Sequence, residues 1–121
     1  MNRETAKRLL DARDACDEVM AYCRDQSRKG FLADRTLNIV VAHLTLTIGE
    51  AMRQADRTDP TLIEHIPQLR DIVDTRNRIV HGYDRVNYSL LWDIVQDDIP
   101  PLSATLNQLL SEAPPLDEPL D

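Results

Sequence analysis

The run Arg76-Asn77-Arg78-Ile79-Val80-His81-Gly82-Tyr83 gathers an arginine, a histidine and a tyrosine within eight residues. A histidine titrates near about pH 6.5, so it can take and return a proton near neutrality. A guanidinium suits charge developing on a phosphate. Together they fit the two sides of one phosphodiester. The histidine would exchange protons with a 2′-hydroxyl or a leaving oxygen, and the arginine would hold the non-bridging oxygens. Tyr83 adds a nucleophilic hydroxyl. Plainer roles exist for all three: Arg76 paired to Asp74 or to an acid on another helix, His81 capping a helix C-terminus, and Tyr83 packed at a helix end.

The spacing sets a geometric condition. On one regular helix His81 would point about 140° from Arg76 and lie about 7.5 Å further along the axis. The two converge only if the helix ends near Val80 or His81, and Gly82 is placed to end it. At 100° per residue, Leu69, Val73 and Val80 fall within about 60° of Arg76, which puts its guanidinium in an apolar stripe. An arginine there needs a carboxylate or an opening onto an anion. An arginine followed five residues later by a histidine arises by chance about 0.3 times in a chain of this composition, so the setting carries the weight.

Four helices are expected to position these groups. The first spans about residues 3–26, with Leu9, Ala12, Cys16, Val19 and Cys23 on one face, and Gly30 stands after it as a C-terminal stop. The second spans about 32–56, on the stripe Leu37, Val41, Leu44, Ile48, Ala51 and Ala55. The third spans about 68–81. The fourth spans about 87–110, its register Leu91, Val95, Ile99, Leu102, Leu106 and Leu109 running across Pro100-Pro101 as one kinked helix. The expectation is an all-α antiparallel four-helix bundle over residues 1–111, followed by a disordered acidic, proline-rich tail at 112–121.

Composition narrows the function. The 121 residues carry a net charge of -7, which argues against a general nucleic-acid binder. Four acids of that total lie in residues 112–121, whereas residues 68–89 hold four arginines against three aspartates. Cys16 and Cys23 share a helical face about 10 Å apart, too far for a disulfide, and suit a reducing compartment. No secretory leader or membrane span is read, so a cytoplasmic location is expected. His43 lies within a helix and His65 in a loop, neither with a partner at metal spacing, and no metal or cofactor is expected. Glu50 falls about 140° from the apolar stripe of its helix, as a surface or inter-helix salt-bridge residue. Trp92 and Tyr88 read as residues that pack at a dimer interface or offer a base-stacking surface, packing being the plainer role.

In the pattern of Arg76, Asn77, His81 and Tyr83, the chain resembles the HepT-type HEPN toxins, partners of minimal nucleotidyltransferases in type VII-like toxin–antitoxin pairs. Ile48-Gly49-Glu50-Ala51 and the helix after the motif are also similar, which leaves a role near the cleft as the alternative for Glu50. The resemblance covers roughly residues 3–111. It implies metal-independent endoribonuclease activity on RNA, a folded tRNA end being one substrate that needs few phosphate contacts, with 2′,3′-cyclic phosphate products. By the same resemblance His81 is the acid/base, Arg76 the phosphate clamp and Asn77 a support. A homodimer would bring two motifs to one cleft. Tyr83 would receive AMP from a cognate MntA-like nucleotidyltransferase antitoxin, blocking the site by charge and bulk. Arg78 and Arg85 stand as further RNA contacts or as solvated charges. The rival expectation is a non-catalytic helical module that binds a nucleotidyltransferase or a nucleotide.

Overall fold

Residues 1–81 and 85–112 are described in a computed structural model of the chain. Helix α1, Arg3–Cys23, starts where the Asn2 side chain accepts from Thr5 N–H at 2.7 Å, with Glu4 in its first turn. Its buried face, Ala6, Leu9, Ala12, Cys16, Val19 and Cys23, repeats every three or four residues as expected. The helix stops three residues short of the expected end. Arg24 leaves helical geometry and Asp25 adopts φ 64°, a left-handed conformation that aspartate tolerates. Gly30 is therefore not the stop. It lies inside a short helix α2, Arg28–Ala33, where its N–H is capped by Ser27 Oγ at 3.0 Å.

Helix α3, Arg35–Thr58, begins at Asp34, whose carboxylate accepts from Leu37 N–H at 3.0 Å. The same aspartate ends α2, so the expected second helix starts three residues later than expected, at Arg35, and the expected break at 27–30 instead opens a short helix. Helices α1 and α3 pack along their lengths and run antiparallel. The Thr5 and Thr58 hydroxyls, one near the start of α1 and one at the end of α3, are bonded at 2.6 Å. A 3-10 turn, Pro60–Glu64, leads to the short helices α4, Leu69–Val73, and α5, Thr75–Ile79. Strands β1, Val80–His81, and β2, Arg85–Val86, follow. Helix α6, Tyr88–Asp97, and helix α7, Ile99–Ser111, complete the described fold. Arg13 reaches Asn107 at 3.0 Å and Ser103 reaches Asp17 at 3.5 Å, so α7 is antiparallel to α1.

The expected kinked fourth helix is interrupted at Asp98 and counts as two. Pro100 and Pro101 have no N–H to give the carbonyls of Gln96 and Asp97, and their rings crowd the preceding turn. Asp98 keeps right-handed geometry, donating to Ile94 O at 2.9 Å and accepting from Leu102 N–H at 3.2 Å. The apolar register therefore survives the break: Leu91, Val95, Ile99, Leu102 and Leu106 are all buried. Each such leucine or isoleucine contributes about 1.5–3 kcal/mol relative to exposure. Trp92 is a core residue, its ring centroid 5.2 Å from that of Phe31, which settles it as packing within the chain. Tyr88 accepts from Arg35 at 3.2 Å.

The all-α expectation stands, apart from the two-residue ribbon of β1 and β2. Cys16 and Cys23 are free and buried, and burial pushes the Cys16 thiol up to about 12. Among the described residues no helix is long and apolar enough to cross a membrane. The expected tail from residue 113 onward lies outside the described residues.

Candidate active site

The expected third helix does not continue to His81. At Asp74 the backbone turns to ψ 5°, and its N–H reaches back to Arg70 O and Ile72 O. The buried Thr75 hydroxyl donates to Asp71 O at 3.1 Å, a back-bond that bends helices. A new helical turn, α5, starts there. Its inward residues are Thr75 and Ile79, so Arg76 is rotated out of the stripe that an unbroken helix would give it. Arg76 is exposed, which corrects the buried placement, and the break at Asp74 is the reason.

The plainer partner for Arg76 is otherwise engaged. Asp74 accepts from Asn77 Nδ2 at 2.7 Å. Asn77 thus ties the two short helices together, and among the described residues Arg76 forms no ion pair. Arg78 turns the other way and meets Asp98 Oδ2 at 3.4 Å, anchoring α5 to the α6–α7 joint. About a third of its side chain is exposed. Arg85 is exposed on β2.

Helix α5 ends at Ile79, three residues before Gly82. Val80 takes extended geometry (ψ 120°), and its N–H still reaches Arg76 O. Pairing with β2 places Val80 opposite Val86 and His81 opposite Arg85, and Asn87 N–H closes on Ile79 O. The helix therefore ends where convergence of Arg76 and His81 requires it, through a β-branched residue and strand pairing. The backbone of His81 is placed by that register. Gly82 and Tyr83 lie outside the described residues, and with them the expected glycine stop and the modification site.

Arg76 and Asn77 line a cleft of about 200 Å³ against Leu46, Gly49, Glu50 and Arg53 of α3, with Val73 between. Gly49 suits the close approach: a Cβ there would stand 3.1 Å from the Ile72 carbonyl oxygen, tighter than ordinary van der Waals contact. Glu50 accepts from Arg53 Nε at 3.1 Å, Arg53 Nη2 at 3.0 Å and Gln54 Nε2 at 3.0 Å. Those bonds hold its carboxyl well below the usual range, at about 2. Such a depressed group loses its charge, and any stability it lends, only as pH falls towards that value, so it stays ionised near neutrality. The surface salt-bridge reading of Glu50 holds, but its partner Arg53 was not singled out as a site residue. The signal available was the Glu50–Arg53 spacing of three on an exposed face, directly after Gly49. Among the described residues no group of three or more His, Cys, Asp or Glu could hold a metal ion.

The family model described as "Ribonuclease HepT-like" matches residues 12–109. A Thermococcus cleftensis protein named "Probable ribonuclease HepT" is 28% identical over 109 residues, covering 90% of this chain and 98% of that one. A Methanocaldococcus jannaschii protein named as a "Putative RNase" is 26% identical, covering 81% of this chain and 89% of its own. One from Caldanaerobacter subterraneus subsp. tengcongensis, also named as a "Putative RNase", is 23% identical, covering 80% and 86%. No solved structure matches.

Proposed function

The chain belongs to the HepT-like ribonuclease family, and from that premise we propose that it is a metal-independent endoribonuclease, the toxin of a type VII-like toxin–antitoxin pair. The observation that carries the reading is Arg76: a guanidinium with no ion pair among the described residues, at the edge of a cleft, one helical turn before the strand that holds His81. Its donors are open to a phosphate oxygen. RNA supplies its own nucleophile. The 2′-oxygen attacks phosphorus and the bond from phosphorus to the 5′-oxygen breaks, leaving a 2′,3′-cyclic phosphate and a 5′-hydroxyl. His81 takes the proton from the 2′-hydroxyl or gives one to the 5′-oxygen. Arg76 steadies the charge on the non-bridging oxygens of the pentacovalent phosphate. A homodimer would supply two histidines to one cleft, one for each transfer.

Cleavage of unfractionated tRNA in excess chelator tests this, with fragment ends read by mass spectrometry. Cyclic phosphate ends are expected; dependence on added metal, or 3′-hydroxyl ends, would overturn the mechanism. The net charge of -7 favours a second reading, a non-catalytic module that binds a nucleotidyltransferase or a nucleotide. That reading requires no turnover at any enzyme concentration in the same assay.

Control would act through Tyr83. An adenylyl group there adds a phosphodiester anion two residues from His81, a competitor for the Arg76 guanidinium. Chain made together with a cognate MntA-like nucleotidyltransferase and ATP is expected to gain the mass of one or more adenylyl groups, located at Tyr83. An unmodified tyrosine would remove the switch and leave the nuclease standing.

A further inference from the structure

Arg76 is not the only guanidinium lining its cleft: Arg53 of α3 lines it too. We propose that Arg53 is a second phosphate-holding residue of the cleft, positioned by Glu50, which is in turn held by Gln54. The proposal rests on the ribonuclease reading above.

A guanidinium has five N–H donors. Glu50 takes the Nε donor and one on Nη2, at 3.1 and 3.0 Å, leaving three for another acceptor. The two-point fork also fixes the plane of the group, so little freedom remains to be lost when an anion arrives. Gln54 holds the same carboxylate at 3.0 Å. So engaged, Glu50 lines the cleft without closing on Arg76; no Glu50–Arg76 ion pair is formed among the described residues. Released from Arg53, it would be free to turn towards Arg76 and occupy the place of a phosphate.

The distance between the two arginines is set by backbone contact. Gly49, one turn before Arg53, packs on the Ile72 carbonyl just ahead of the break that launches α5. The cleft, at about 200 Å³, lies below the roughly 300 Å³ at which pockets begin to enclose whole small molecules. That size suits a backbone phosphate and part of its sugar. Arg57, one turn further along α3, lines a different hollow with Glu4 and Thr58. It has the same charge and helix as Arg53 without a share in the cleft.

The test measures binding of a short single-stranded RNA, 2′-O-methylated to block cleavage, by the full chain at one fixed salt concentration. Arg53→Gln is expected to weaken binding by about tenfold, the effect of one charge-assisted hydrogen bond. Arg57→Gln should stay within about twofold of the original chain, as for a solvated charge outside the site. The double variant Glu50→Gln/Arg53→Gln keeps the net charge, and it should remain at least about fivefold weak because the directed donors are gone. Full recovery in the double variant, or an equal loss in Arg57→Gln, would reduce Arg53 to a contribution to the general field and overturn the proposal. Arg76→Gln in the same series separates the two levels. Its loss beside an unaffected Arg53→Gln sinks Arg53 alone. An unaffected Arg76→Gln, or no RNA binding by the original chain, sinks the cleft reading itself.

Discussion

Replacing His81 by alanine is expected to lower RNA cleavage by about 10²–10⁴-fold, the usual contribution of a positioned acid or base. The expectation follows from what the reaction must move. A ribose hydroxyl is a poor nucleophile until its proton leaves, and an alkoxide is a poor leaving group until a proton arrives. Imidazole can do either near neutral pH. Single-turnover cleavage of tRNA, with circular dichroism to confirm that the variant folds, measures the loss. Binding of 2′-O-methylated RNA should be almost unchanged, since the histidine acts in the transition state. A variant that cleaves at the original rate would end the assignment of His81. A variant that loses binding and cleavage equally would make the residue a binding group only.

The second large effect is expected at Arg76. Arg76→Ala should lower cleavage by about 10²–10³-fold, comparable to removing one preorganised donor from a developing oxyanion. Arg76→Lys should recover only part, because an ammonium is a point charge without the planar fork that grips two phosphate oxygens. Stability should move little, by about 0.5 kcal/mol or less, because the side chain is exposed and bears no ion pair among the described residues. Thermal unfolding beside the cleavage assay separates the two. A large fall in Tm with proportional loss of activity would make Arg76 a structural residue.

Much of the architecture was legible in the sequence because it depends on periodic burial. The stripes of α1 and α3 are fixed by apolar spacing that nothing nearby contradicts, and Leu9, Val41 and Ile48 lie in the core as their periodicity requires. The fourth stripe kept its phase across Pro100-Pro101, though the interruption falls at Asp98. The breaks at Asp34 and Asp74 were not legible in the same way. Asp34 caps through its own side chain, a local bond that competes with helix continuation. At Asp74 the interruption is accompanied by a hydroxyl back-bond from Thr75 and by the Asn77 side chain on Asp74, neither of which alters the apolar pattern.

The site was legible as residue types and not as directions. Extrapolating one regular helix gave Arg76 the wrong side, because a single non-helical residue rotates everything that follows it. The expected helix end near Val80 or His81 is found at Ile79, with strand pairing taking over at Val80. Arg53 was passed over for a different reason: its spacing of three from Glu50 shows in the sequence, but its place beside Arg76 depends on how α3 packs against α4 and α5.

Gly49 gives that contact a further meaning. Its missing side chain works as a gauge, setting the bite between the jaw made by α3 and the jaw made by α5. A side chain there would meet the Ile72 carbonyl oxygen at 3.1 Å, so one backbone would have to give by a few tenths of an ångström. The smallest residue of the helix thus governs the width of the opening beside Arg76, and on the reading proposed above a change there would be read out as altered substrate choice before it was read out as lost chemistry.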